Sequence, residues 1–231
     1  METLSTISMA DNTLLKAVAE RGTLSSERNQ LQRLDWLQTA LELFVEEGID
    51  AVRITRLAHE LEVTRGSFYW HFTNRDDLID ALLQYWRDKN TRAIVVAVEG
   101  AESLTDGIFE LFDACIDIEL FDPRLDLAVR EWARRSKKVR KELDNADTAR
   151  VDAITAFFSR FRYQKTEAFI RARIVYFSLI GFYALDIKDS LATRISYTRA
   201  YFKGYTGRDL TAQQAGEFES RMRSKYQDRI V

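Results

Sequence analysis

Apolar residues recur at three- and four-residue spacing along most of this chain, the period of a helix buried on one face. The first strong helix runs from about Glu27 to Glu47, where Leu34, Leu37, Leu41 and Phe44, with Ala40 between, make one stripe. Gly48 then supplies a stop. A second, shorter helix fits Ile54–Leu61, with Ile54, Leu57, Ala58 and Leu61 on one side. Glu62-Val63-Thr64 is a tight connection, and the Thr64 hydroxyl is placed to cap a third, short helix from Arg65 to about His71. Asn74 or Thr73 caps a long fourth helix, with Asp76 and Asp77 at its positive end. Its stripe carries Leu78, Ile79, Leu82 and Trp86 and reaches about Val98. Beyond Gly100 the same period predicts helices over Leu104–Leu120, Leu125–Ser136, Val139 to about Arg162, Glu167–Leu185 and Ser190–Tyr205, with a break at Phe121-Asp122-Pro123. Residues 1–25 hold no sustained pattern beyond a possible short helix at Asn12–Glu20. The tail from Gly207 is polar and is open to either a helix or loose chain. No alternating strand pattern, internal repeat or low-complexity tract competes, so the expected class is all-α.

Composition narrows this reading. The chain has 231 residues, 46% hydrophobic and 30% charged, the balance of a globular protein with a real core. One proline and nine glycines leave long helices undisturbed. A single cysteine, Cys115, excludes an intrachain disulfide and a cysteine metal cluster and suits a reducing cytosol. No stretch is long and apolar enough for a membrane span, and the first 30 residues do not read as a secretory signal. The expectation is therefore a cytoplasmic chain with no membrane partner.

Between Gly48 and Trp86, two short helices joined by three residues meet the requirement for a helix-turn-helix: one helix packs, and the next offers its outer face to a groove. The second reads Arg-Gly-Ser-Phe-Tyr-Trp-His-Phe. A buried helix does not need Arg65, Ser67, Tyr69, Trp70 and His71 crowded together. A groove-facing helix does, because hydroxyls and imidazole donate to phosphates, Arg reads guanine or clamps phosphate, and Trp packs on sugar or a thymine methyl. Phe68 and Phe72, four apart, are expected to point inward. Arg75 and the amino end of the fourth helix offer donors to a phosphate. Net charge speaks against a generic basic footprint. The chain carries −2 overall, and Ser26–Asp76 holds six arginines, no lysine and nine acids. Placement of charge has to carry the case.

At these residues the chain resembles the tetracycline-repressor (TetR) family. The family pattern stands here as Phe44…Gly48, Ile54…Leu57-Ala58, Val63-Thr64, Gly66-Ser67-Phe68-Tyr69-Trp70-His71-Phe72 and Arg75-Asp76-Asp77-Leu78, over about 55 residues from Arg33 to Trp86. Departures are Glu62 at the usual turn glycine, Arg53 at a usual small hydroxyl cap and Arg75 for a lysine. Glu62 must avoid a left-handed backbone or strain to adopt it. The resemblance implies phosphate contacts from Tyr69 and His71, base or near-base contacts from Thr64, Arg65, Ser67 and Trp70, and phosphate contacts from Arg53 and Arg56 on the second helix. It implies a three-helix head over 26–76 after a variable extension 1–25, a ligand-binding and dimerisation body over 77–207, and a polar tail over 208–231. It also implies a repressor released from a palindromic operator in double-stranded DNA by a small-molecule effector, with no cofactor, metal or catalytic residue.

Phe109, Phe112, Trp132 and Tyr176 are candidates to line the effector cavity, or are ordinary core. A homodimer is expected, because one short reading helix covers too few base pairs and two-fold symmetry doubles the site. Its interface is expected from Glu167–Leu185 and Ser190–Tyr205, through Ala168, Ala172, Val175, Ser178, Leu179, Gly181, Phe182, Ile195, Tyr201 and Phe202, with the small residues permitting close helix approach. Six of the eight residues from Arg134 to Lys141 are basic, which reads as an anion patch or as solvated helix ends. Two rival classes remain. A helical protein-binding adaptor without DNA affinity fits the acidic head. An enzyme is harder to support, since two histidines and one cysteine leave no metal spacing, phosphate loop or nucleophile-base set.

Overall fold

The computed structural model describes residues 27–226, and every regular element among them is helical. They divide into two compact units, residues up to 90 with 122–144, and residues 91–121 with 145 onward. This is a division by packing, separate from the division by role expected above. The short helix expected at Asn12–Glu20 lies outside the described residues.

The first unit begins with α1 (Glu27–Glu47), as the apolar stripe predicts. Gly48 follows at φ 86°, a conformation open to glycine, and turns the chain into a 3₁₀ turn at Ile49–Ala51. Next come α2 (Ile54–Glu60), α3 (Arg65–Phe68) and α4 (Arg75–Trp86). The unit is completed by α7 (Pro123–Ala133) and the first part of α8 (Lys137–Arg160). α1 packs against α2, α4 and α7. Leu34, Trp36, Leu37, Ala40, Leu43 and Phe44 of α1 are buried, and Leu57, Phe68, Leu78, Leu82 and Trp86 are among the residues that complete the core. The Trp86 indole donates to Asp126, 2.8 Å away, and Asp126 also accepts from Arg130 at 2.8 Å, so this buried carboxylate is paired on both sides.

Helical chain continues from α4 through a π turn at Arg87–Thr91 into α5 (Arg92–Glu99). The sequence predicts one uninterrupted helix here. The π turn buries Lys89 and Asn90, and Asn90 exchanges two hydrogen bonds with the Asp122 backbone at 2.7 and 3.1 Å. Pro123 does more than break the chain. It is the first residue of α7, where its missing N–H costs nothing, and the Asp122 side chain caps the next two amides.

The second unit holds α5, α6 (Leu104–Ile116), the rest of α8, α9 (Lys165–Ala184), α10 (Leu191–Ser196), α11 (Thr198–Thr206) and α12 (Ala212–Lys225). The single helix expected over Ser190–Tyr205 is two, separated at Tyr197. The polar tail resolves as a helix with a complete capping box between Thr211 and Gln214. It is tied into the core: Phe218 stacks on Phe109 with ring centres 4.0 Å apart, and Lys225 and Tyr226 both donate to Asp113 at 2.8 Å. Gly107 on α6 is required by packing. A Cβ there would lie 2.1 Å from the Phe157 ring. No helix among the described residues is long and apolar enough to cross a membrane.

Candidate nucleic-acid interface

The α2–turn–α3 segment is the predicted helix-turn-helix, and its turn is built around a strained residue. Glu62 takes φ 55°, the left-handed conformation that glycine adopts freely. The Glu62 amide donates to the His59 carbonyl at 3.1 Å, and Val63 reaches back to Ala58 at 2.9 Å. Together these close the end of α2 in a Schellman arrangement. Of the two outcomes open to Glu62, the chain thus takes the strained one. The Thr64 hydroxyl makes no capping hydrogen bond to α3, contrary to the expectation from its type, and Thr64 is exposed.

α3 is only four residues long and continues as a turn through His71. A helix this short has no stability of its own, so tertiary anchors must hold it. Phe68 is 0% exposed and Phe72 is 2% exposed. Phe68 meets Trp36 edge-on at 5.2 Å and stacks on Phe72 at 5.4 Å. Arg33 lies 4.6 Å over the Phe72 ring and donates to the His71 carbonyl at 3.4 Å. The outer side is the reverse: Tyr69 is 56% exposed and Trp70 87%. Large rings turned to water beside a tightly held backbone form a rigid, amphipathic contact surface. His71 is half-buried. Burial, then repulsion from Arg33, lowers its pKa from 6.5, with Asp35 opposing, so in the free protein it is neutral at pH 7.

The arginines divide into free and committed. Arg65 is exposed and forms no ion pair among the described residues, and Ser67 beside it is half-buried. Arg53 is exposed, with one nitrogen on the Asp50 carbonyl at 2.8 Å. Arg56 is held in a fork by Glu47 at 2.6 and 2.7 Å and also approaches Glu60 at 3.5 Å. Arg75 donates to the carbonyls of Val52 at 2.6 Å and Ile49 at 2.7 Å. In the free protein Arg56 and Arg75 therefore brace the head, and of these four Arg53 and Arg65 present largely uncommitted charge. Asn74 caps α4 by accepting from Asp77, as predicted. Four of the six basic residues of the run 134–141 are matched by acids: Arg134 and Arg135 pair with Glu131, Lys138 with Asp80 and Arg140 with Asp144. No cluster of three metal-ligating side chains occurs among the described residues.

In the second unit, residues of α5, α6, α8, α9, α10 and α11 line a cleft that opens to solvent. Phe109, Phe112 and Tyr176 line it, as does Cys115. Trp132 does not. It belongs to the first unit and packs edge-on against Phe44 at 5.6 Å. Arg194, Asp189 and Tyr205 also line the cleft and were not singled out in the sequence. Arg194 reads there as an ordinary polar position on a helix.

The residues of the expected dimer stripe differ in burial. Ala168, Ala172, Val175, Ile195 and Phe202 are buried within the chain's own core, so their close approach serves intrachain packing. Ser178, Leu179, Gly181 and Phe182 are half-buried, and Tyr201 is exposed at the cleft. The uncovered apolar side of α9 is instead Phe169, Ile170, Ile174 and Phe177. Apolar residues occur on every side of the helix, with Arg173 lying over the Phe169 and Phe177 rings, so its sequence alone does not say which side the rest of the chain covers.

Residues 37–82 match the family model of bacterial regulatory proteins, tetR family. Over 56 residues the chain is 43% identical to the class C tetracycline repressor protein of Escherichia coli, covering 24% of this chain and 26% of that one. Over 63 residues it is 33% identical to the HTH-type transcriptional regulator SrpR of Pseudomonas putida, 27% of this chain and 29% of the relative. Such matches span about a quarter of the relatives' length and coincide with the head. Among solved structures, the TetR family transcriptional regulator PfmR of Thermus thermophilus superposes with a TM-score of 0.57 at 15% identity, covering 74% of this chain and 97% of that one. The ketosteroid transcriptional regulator KstR2 of Mycobacterium tuberculosis gives 0.56 at 16% identity, over 82% and 98%. At that identity the likeness is one of fold.

Proposed function

We propose that this protein, whose residues 37–82 match the family model of bacterial regulatory proteins, tetR family, is a cytoplasmic, sequence-specific DNA-binding transcriptional regulator. The observation that carries this reading is the two-sidedness of α3 and its following turn. Phe68 and Phe72 lock the backbone inward while Tyr69 and Trp70 stand in water with Arg65 and Thr64. Tyr69, Arg65 and His71 then supply donors to phosphates, and Trp70 supplies an apolar face for a thymine methyl or sugar. Arg53 adds a phosphate contact from the start of α2. Arg56 and Arg75 join only where a phosphate outcompetes their present partners. Binding of this kind relies on local charge placement in an otherwise acidic head, so its salt slope is shallow for a DNA-binding protein.

The working form is a homodimer whose two reading helices address the halves of a palindrome. The uncovered side of α9, around Phe169, Ile174 and Phe177, is the surface we assign to the partner, because aromatic and branched apolar groups in water gain most from association. The cleft in the second unit takes a small-molecule effector. A ligand that binds better to a dimer with mismatched reading-helix spacing draws the population off DNA by its differential affinity alone. Repression relieved by the effector is the mode proposed.

Selection of bound sites from random duplex DNA by the purified full chain tests the reading. The expected product is a palindrome with half-site centres about 34–36 Å apart or a multiple of that. Recovery of no sequence preference at low ionic strength refutes it and favours a protein-binding adaptor.

A further inference from the structure

We propose that the ligand of the second-unit cleft is an amphipathic organic anion: an apolar, ring-bearing body carrying one carboxylate, with Arg194 as the residue that receives the charge. This rests on the effector reading of the cleft and adds the ligand's chemical class.

Most of the wall is hydrocarbon or aromatic, so an apolar body gains from entering. Charge is confined to two of the lining residues, Arg194 and Asp189. Arg194 is half-buried in the last turn of α10, with its guanidinium 4.6 Å over the Phe182 ring and 5.8 Å from Phe112. Among the described residues, no carboxylate lies within salt-bridge distance of it and its side chain donates no hydrogen bond; it lies over the two rings, with the neutral Cys115 thiol and Tyr205 hydroxyl also near its charge. Ring faces orient the guanidinium without using its N–H groups. A partly desolvated guanidinium with its fork free is an arrangement that a carboxylate satisfies bidentately.

Other polar groups in the wall are already engaged or neutral. The Tyr176 hydroxyl donates to Asp147 at 2.6 Å and accepts from Arg150 at 3.0 Å. Thr198 donates to the Ile195 carbonyl at 2.7 Å, and Ser178 to that of Ile174 at 2.6 Å. Tyr205 is hydrogen-bonded to Ser178, and burial keeps it and the Cys115 thiol protonated. None of these neutral groups asks for a cation. Asp189 is exposed, so it sits at the mouth in water, where it weakly opposes an incoming anion rather than neutralising Arg194. A cationic or neutral ligand would leave Arg194 unmatched.

The test uses the full-length chain and two matched probe pairs, 1-naphthylacetate with its amide and 4-phenylbutyrate with its amide, in isothermal titration. At least one carboxylate should bind tenfold or more tightly than its own amide. Arg194→Gln should remove that preference while leaving the amide's affinity within about twofold, and Arg194→Lys should restore part of it. Asp189→Asn should tighten the carboxylate. Equal affinity for acid and amide, or a preference that survives Arg194→Gln, overturns the assignment while leaving an apolar effector cleft standing. Absence of binding by all four probes overturns it together with the cleft. The regulator reading is judged separately: Arg194→Gln leaves operator binding of the unliganded protein unchanged, and loss of operator selection in the wild type refutes that reading without touching probe binding.

Discussion

Two residues two positions apart on the reading segment should respond oppositely to truncation. Phe68 has no exposed surface and contacts Trp36, Tyr69 and Phe72 with ring centres 5.2–5.4 Å apart. Phe68→Ala removes a fully buried ring in a place where α3 cannot collapse to refill the space, because it is a single turn held by this anchor. The expected loss is about 3–5 kcal/mol, at the level of other buried Phe→Ala changes. Against a typical total of roughly 5–15 kcal/mol, this leaves the head marginal. Trp70 is 87% exposed, so Trp70→Ala should change stability by no more than about 0.5 kcal/mol. The same substitution should weaken binding to the selected site by about 1–3 kcal/mol, roughly 5- to 150-fold, if the ring packs against a base step or sugar. Denaturant melts by circular dichroism give the stabilities, and fluorescence anisotropy on a labelled duplex gives the affinities. The reasoning fails if Trp70→Ala destabilises the fold by more than about 1 kcal/mol, since the ring must then be covered. It also fails if affinity for the selected duplex is unchanged.

Glu62→Gly should stabilise the protein by roughly 1 kcal/mol, because glycine accepts the left-handed turn without strain, and removal of an acid should raise DNA affinity; a lower unfolding midpoint would count against a strained turn. Gly107→Ala should cost about 1–3 kcal/mol through its collision with Phe157, and a neutral result in a thermal melt would place that ring elsewhere. DNA affinity should increase as pH falls from 8 towards 5.5, because a phosphate raises the depressed pKa of His71 and binding then takes up a proton; His71→Gln should flatten the profile. The Cys115 thiol, half-buried in the cleft wall and pushed up to about 12, mainly by burial, should react with thiol reagents at pH 8 more slowly than in the unfolded chain, and equal rates would contradict its placement.

The helices, and the sides of them that face a core, were legible in the sequence wherever the pattern has one answer. The boundaries of α1 came out as expected, and Leu34, Leu37, Ala40 and Phe44 of its stripe are buried, while Trp36 and Leu43 join them and Leu41 stays half-buried. Phe68 and Phe72 recur at helical spacing and both turn inward. The reading segment was legible for the complementary reason: aromatic and polar groups concentrated on a helix too short to hide them must face outward. Local period, glycine and cap residues act within a few positions, and sequence carries that information directly.

Other features depend on partners far along the chain. Arg56 and Arg75 look like free cations in sequence, and only the fold brings Glu47, Ile49 and Val52 to them. α9 carries apolar residues on every side and no single stripe, so the choice of Ala168 and Ala172 for the core over Phe169 and Phe177 was made by whichever helices pack on it. The polar tail became a helix because Phe218, Lys225 and Tyr226 find Phe109 and Asp113 more than a hundred residues earlier. Arg194 became a candidate ligand residue when the rings of Phe112 and Phe182 came together around it. Sequence determines periodicity and propensity, which are local energies. Which charge is neutralised and which apolar side is covered are pairwise energies between distant residues, and those exist only once the chain has folded.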